Sequence, residues 1–250
     1  MTGVRWEVRE GVCRIVLDRP QVSNAVDLAA ARGLAEAVEA AEATAVRAVL
    51  LTGEGARFCA GGDVQSFVAA AEPPMHLHQL ATELEAALRR LSELPKPVVA
   101  AVQGAVAGAG LAFVLNADIV VAAHSTKFRM AYSGVGLTPD CGVSYLLPRA
   151  VGTQRALELA LVGRTLTADE ARDWGLVTQV VEDDALSAAA ADIAAALANG
   201  SAAAFGQAKR LIRSSFSATR EQSAADEART IASAVTTDEA QELIRRFVNR

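Results

Sequence analysis

Two kinds of residue pattern in this chain are suited to chemistry: one isolated acid and a pair of glycine-rich turns. In GVGLTPDCGVSYLLPR (134–149), Asp140 is the one acidic side chain in an apolar, glycine-rich stretch. An unpaired carboxylate in such surroundings is costly to bury. The same surroundings raise a carboxyl pKa and so prepare it to take and return a proton near neutral pH. Pro139-Asp140-Cys141-Gly142 also suits a β-turn, in which aspartate serves the backbone. Both readings stand on the residues alone.

The glycine-rich turns are ARFCAGGDV (56–64), after the strand-like VRAVLL, and QGAVAGAGLAF (103–113), after VVAAV. Small residues there let a ligand approach the main chain. Helix starts leave N–H groups unpaired and carry partial positive charge. Two such turns aimed at one point make a two-donor hole for a developing oxyanion; tight strand–helix packing is the other reading of each. Neither turn carries the third glycine of a dinucleotide fingerprint or the lysine of a phosphate loop.

The remaining reactive side chains give weaker signals. Cys141 has no histidine in any motif and reads as a small buried thiol. His76 and His78, two apart, point to different faces of a helix or to the same face of a strand. No acidic or cysteine partner at ligand spacing accompanies them, so no metal site is expected, and His124, in a loop after a strand, reads as ordinary surface. Tyr132 reads as pocket lining with a phenol able to donate; Tyr145 has no motif.

The elements positioning these residues read as an α/β chain. Of 250 residues, 52% are apolar, 21% charged and 4% aromatic, enough for a large Ala/Val/Leu core. The net charge of −5 argues against a nucleic-acid partner. Three widely spaced cysteines without a CxxC pair signal no disulfide framework and fit a reducing cytoplasm. MTGVRWEVRE has no apolar run of signal-peptide type, and the apolar stretch from Pro97 to Leu115 is broken by glycines, so no membrane segment is expected.

Residues 6–9 and 12–17 read as strands around a Glu10-Gly11 hairpin turn. A helix is expected over 24–42, a strand over 46–51 and an amphipathic helix over 81–94 ended by Pro95 and Pro97. A strand at 98–102, a helix from about 108 and a strand at 119–122 continue the rhythm of a layered core with buried parallel strands. After Pro148 the pattern reads as helix only: 153–162, 167–173, 184–198, 201–213 and 219 to the end.

Four stretches in order, RPQVSNAV (19–26), FCAGGDV (58–64), VQGAVAGAGLAF (102–113) and GLTPDCGVSYLLPRAVG (136–152), followed by GTQRALELALVGRTLTADEARDWGLV (152–177), resemble the enoyl-CoA hydratase/isomerase, or crotonase, superfamily over essentially the whole chain. The resemblance implies a spiral of ββα units over residues 1–195 and a helical oligomerisation region over 196–250, giving homotrimers or hexamers. It implies an acyl-CoA thioester substrate and no cofactor beyond the coenzyme A that the substrate carries. It places the oxyanion donors at the N–H groups of Gly62 and Ala109, and Arg57, Ala60, Gly61, Gly62, Asp63, Val64, Ala109 and Tyr132 at the substrate. Arg57, and Lys209 and Arg210 from a neighbouring subunit, are candidates for the CoA phosphates; solvated surface charge is the alternative for each.

Hydratases of this family resemble two-carboxylate enzymes, and their two glutamate positions fall on Ala112 and Tyr132. Aspartate at the PD-x-G position, here Asp140, resembles the double-bond isomerases. The expected activity is therefore a Δ3-to-Δ2 shift of an enoyl-CoA through Asp140. A hydratase or other acyl-CoA lyase, and an acyl-CoA-binding protein that has lost chemistry, are the competing readings.

Overall fold

The computed structural model describes residues 2–249. Strands β1 (Val4–Arg9) and β2 (Val12–Leu17) pair antiparallel with Val4 opposite Leu17. Glu10 and Gly11 both have positive φ (48° and 79°), the conformation of a two-residue hairpin turn matched to strand twist. Helix α1 (Leu28–Ala41) starts at Asp27, whose carboxylate accepts the Ala30 N–H at 2.8 Å. Strand β3 (Ala48–Gly53) then lies parallel to β2.

Helix α2 (Val64–Val68) is short, and α3 (Pro73–Glu93) begins eight residues earlier than the periodicity predicts. Pro73 and Pro74 occupy its first turn, where a missing N–H breaks no helical bond. Strands β4 (Val98–Val102) and β5 (Ala105–Ala107), helix α4 (Ala109–Asn116), and strands β6 (Ile119–Ala123) and β7 (Lys127–Arg129) follow. Beyond them lie α5 (Val143–Val151), α6 (Thr153–Val162), β8 (Thr165–Thr167), α7 (Ala168–Asp173) and β9 (Gln179–Val181). The expectation of helix alone after Pro148 is thus corrected by β8 and β9. Three residues each are too few to show a strand period. Pro148 itself lies inside α5.

The larger sheet has the order β1-β2-β3-β4-β6-β9, parallel from β2 onward. The smaller sheet has the order β5-β7-β8. One face of the larger sheet, with Val49, Leu51, Val98 and Ala100, joins the main core that includes α1 and α3. The opposite face, with Leu50, Val99 and Val121, packs on α8 (Leu186–Asn199) through Leu186, Ala190 and Ala194. Alanines four apart let that helix lie close to the strands. Residue 195 therefore falls within a helix that is continuous across it.

The C-terminal helices are α9 (Ala202–Ser214), α10 (Arg220–Ala234) and α11 (Asp238–Val248). The single helix expected from 219 is divided at Val235–Thr237. Thr237 starts the last helix by accepting the Ala240 N–H. Helix α9 is tied down by Asp118, whose carboxylate accepts from Lys209 Nζ at 2.7 Å, Arg213 Nη2 at 2.7 Å and the Val98 N–H at 2.8 Å. Burial lowers the Lys209 pKa and the Asp118 charge opposes that shift. Among the described residues no single helix is long and apolar enough to cross a membrane.

Candidate active site

The two glycine turns meet because a strand-like ladder joins the segments before them. The Phe58 N–H donates to Gln103 O at 2.8 Å, the Cys59 N–H to Ala105 O at 3.2 Å, and the Ala107 N–H to Cys59 O at 2.9 Å. This pairing uses β5, a strand between β4 and α4 that the sequence reading omits. It sets Gly61 (φ 122°) beside Gly108 (φ 52°): a Cβ on Gly108 would lie 3.4 Å from Gly61 Cα. Gly110 packs on the Cys59 carbonyl, leaving no room for a side chain. The geometry thus answers the question posed by the paired turns, since close packing is what brings them together.

Gly62 and Ala109 follow the two touching glycines, and both line one cavity of about 520 Å3. No acceptor among the described residues takes the N–H of either. Ala109 is the first residue of α4, where helical geometry leaves the donor free and the helix end contributes positive charge. A Cβ on Gly62 would meet nothing within 4 Å, so the main chain there opens onto space. Two free donors on one cavity can hold an oxyanion.

The cavity wall is otherwise largely apolar, with Val26, Phe67, Leu77, Leu80 and Leu84. Asp140 is its only acidic side chain among the described residues, and it is half-buried. Tyr132 Oη donates to Asp140 Oδ1 at 2.8 Å. The Asp140 carbonyl meanwhile accepts the Val143 N–H at 3.0 Å, and Cys141 (φ 49°) and Gly142 (φ 76°) carry the chain into α5. The Asp140 backbone thus closes the turn while its side chain lines the cavity.

Burial, then the Asp140 charge and hydrogen bond, push the Tyr132 phenol far above its ordinary pKa, so it stays a donor. Burial, then Asp140, likewise hold the Cys141 thiol protonated. Cys141 Sγ donates to Ala81 O at 3.8 Å, fixing the Asp140 turn against α3. Ala112, at the other hydratase glutamate position, is fully buried on α4 and brings no acid.

Ala60, Gly61 and Val64 also line the cavity, but Arg57 and Asp63 do not. Arg57 is exposed and donates to Ser23 Oγ at 2.8 Å. Asp63 caps α2 and accepts from Arg19 Nη2 at 2.9 Å, so its carboxylate serves the turn. The same Arg19 nitrogen lies 3.0 Å from Asp27, the cap of α1. Arg19 carries no signal of this role in the sequence beyond its place in RPQVSNAV.

Lys209 is corrected from a candidate for a neighbour's CoA: it is held inward by Asp118 and by Lys96 O at 3.0 Å. Arg210 pairs with Asp226 at 2.5 Å. His78, read as uninformative, lines the cavity from α3. Among the described residues no three His, Cys, Asp or Glu side chains cluster as a metal site.

Comparison with known proteins agrees with this geometry. A sequence profile of the family described as enoyl-CoA hydratase/isomerase matches residues 7–250. The chain is 41% identical to 1,2-epoxyphenylacetyl-CoA isomerase of Escherichia coli K12 over 83% of its own length and 80% of the relative's. It is 32% identical to trans-2-decenoyl-[acyl-carrier-protein] isomerase of Streptococcus mutans, over 87% and 84%. The crystal structure of an enoyl-CoA hydratase from Polaromonas sp. JS666 superposes with a TM-score of 0.94 at 34% identity, covering 98% of this chain and 96% of that one. The crotonase-type fold expected from the sequence is therefore the fold observed. The chain belongs to the enoyl-CoA hydratase/isomerase family and is an acyl-CoA-processing enzyme of that type.

Proposed function

We propose that this enzyme moves the double bond of a 3-enoyl-CoA to the 2-position, with Asp140 as the only proton carrier. The single observation that carries this reading is that, among the described residues, Asp140 is the one acidic side chain on the cavity that also holds the Gly62 and Ala109 N–H groups, which no described acceptor takes. The thioester oxygen accepts both N–H groups, which acidifies C2. The Asp140 carboxylate takes a C2 proton, and the electron pair spreads into a dienolate over C2 to C4 and the thioester oxygen. The resulting carboxylic acid returns that proton to C4, leaving the double bond between C2 and C3. One group suffices, no water is consumed, and no cofactor is needed beyond the substrate's own coenzyme A.

Water addition calls for a second acid–base group, and the two hydratase positions hold Ala112 and Tyr132. A positioned acid or base contributes roughly 10²–10⁴-fold, so hydration should be slow here. Supplying 3-enoyl-CoA and 2-enoyl-CoA separately tests the reading. Conversion of the first to the second, without 3-hydroxyacyl-CoA from either, is expected. Hydration of the 2-enoyl ester, or binding without turnover, overturns it. Asp140→Asn should lower isomerisation by about 10²–10⁴-fold while leaving thioester affinity within a few-fold.

The same proposal takes the protein to be a homotrimer or a hexamer of two trimers. Supporting this, Leu243, Ile244, Phe247 and Val248 leave an apolar face of α11 exposed in one protomer. Asp63 and Arg57 enter it only as supports of the turn that presents Gly62. A cytoplasmic location is supported by three buried, free thiols.

A further inference from the structure

We infer that Arg19 is a positioning residue of the oxyanion hole, fixing the direction of the Gly62 N–H. The inference rests on the proposed role of the Gly62 and Ala109 N–H groups and adds the side chain that aims one of them. Its basis is a short parallel bridge between Val26 and Gly62. The Val26 N–H donates to Gly61 O at 2.9 Å, and the Asp63 N–H donates to Val26 O at 2.9 Å. A trans peptide is planar, with its C=O and N–H on opposite sides. Because Gly61 O is turned toward Val26, the Gly62 N–H of the same peptide is turned away from it. Two successive glycines offer little resistance of their own to rotation of that peptide, so its direction has to be held from outside.

Arg19 grips the residues that flank this bridge. Its Nη1 donates to Ala25 O. Its Nη2 lies 3.0 Å from Asp27 Oδ2 and donates to Asp63 Oδ2 at 2.9 Å. Ala25 and Asp27 stand on either side of Val26, and Asp63 follows Gly62, so one planar guanidinium ties the two bridged segments to each other. Each aspartate is committed through its other oxygen as well, Asp27 Oδ1 to the Ala30 N–H at 2.8 Å and Asp63 Oδ1 to the Ser66 N–H at 3.4 Å. The side chains of Arg19, Asp27 and Asp63 are only 19%, 24% and 15% exposed, so salt screens their charges weakly. Removing the cation leaves two partly buried carboxylates close together, and their repulsion pushes apart the segments that carry Val26 and Gly62.

The test reads the thioester carbonyl itself, in a saturated ester so that its outcome does not depend on isomerisation. A medium-chain acyl-CoA with an isotope label at the carbonyl is bound to the full-length protein, and its stretch is followed by infrared difference spectroscopy. Wild type is expected to lower the stretching frequency relative to the free ester, as donors on the oxygen do. Arg19→Met should give back roughly half of that shift, because the Ala109 donor stays in place. With a 3-enoyl-CoA it should lower kcat by about ten- to hundredfold while KM stays within about threefold. Arg19→Lys keeps a cation between the aspartates but lacks the fork that also reaches Ala25 O, and should fall between the two. Arg164→Met is the control, since Arg164 also lies between two carboxylates, Glu158 at 2.9 Å and Glu170 at 2.5 Å, away from the bridge residues. It should keep the full wild-type shift. A wild-type shift and kcat in Arg19→Met, shown folded by circular dichroism, overturn the inference. So does an equal loss in Arg164→Met, which would mark a general loosening. If Arg19→Met does not fold, Arg19→Lys decides, and a wild-type shift there overturns the inference too. An unshifted carbonyl on wild type, or failure of the ester to bind, overturns instead the oxyanion reading of the site.

Discussion

Tyr132 Oη donates to Asp140 Oδ1 at 2.8 Å, so the side chain standing where family hydratases have a glutamate holds the carboxylate proposed to move the proton. Burial and the adjacent charge keep that phenol protonated, making the bond a fixed orienting contact. Tyr132→Phe removes it while conserving the ring. We expect kcat to fall by about tenfold with KM changed less than threefold, because the bond acts on the acid and not on substrate affinity. Steady-state kinetics with a 3-enoyl-CoA reads the split.

The proposed oxyanion donors belong to the main chain, and one can be removed by substitution. Ala109 is the first residue of α4, the helical position where proline fits best. Ala109→Pro should lower kcat by about 10²–10³-fold, the usual effect of losing one such donor. Ala109→Gly retains the N–H and should stay within a few-fold of wild type. Kinetics of the pair, with circular dichroism as the folding control, separates loss of a donor from loss of structure.

Gly110 tests the packing that brings the turns together. Its ideal Cβ falls on the Cys59 carbonyl, a main-chain atom held in the ladder to β5. Gly110→Ala must therefore separate the two segments, and overpacking of this kind costs about 1–3 kcal/mol. Urea denaturation should show that loss, and activity should fall as well, because the displaced atoms position Gly62 and Ala109.

The buried thiols give a pH signature. Burial pushes Cys13 up to about 11 and Cys59 up to about 12, from 9.0. A group whose folded pKa is raised contributes stability that is full below its unfolded pKa and is lost as pH rises through the folded value. The window therefore opens near 9.0 and extends to about 11 or 12, with a loss on the order of 1 kcal/mol per thiol per pH unit. Urea midpoints across that range should fall less steeply for Cys59→Ala than for wild type, whatever the offset caused by the lost volume.

Much of this was legible in the sequence where a period was long enough to see. Strands β2 and β4 fall on the predicted residues, and α1 ends within one residue of its expected boundary after an N-cap at Asp27. The start of α3 was hidden because Pro73 and Pro74 read as a break, although proline is harmless in a first turn. Strands β5, β7, β8 and β9 span three residues each and exist through pairing with distant segments. Side-chain partnerships followed the same rule. Asp63 as a turn-holder could be read locally, whereas Tyr132 with Asp140, Lys209 with Asp118 and Arg19 with two aspartates depend on how irregular or remote segments meet.

The donors and the acid are held by independent parts of the fold. Gly62 and Ala109 are set by main-chain bonds from 58–59 to 103–107 and from the Gly108 N–H to Arg129 O, in which no side-chain atom takes part. Asp140 arrives on the separate 131–142 loop, pinned chiefly by Tyr132 and Cys141. Such a scaffold is rewritable: exchanging a few side chains on one loop changes which proton is moved, or whether one is moved at all, while the grip on the ester survives. Diversification of chemistry on this framework needs no new backbone.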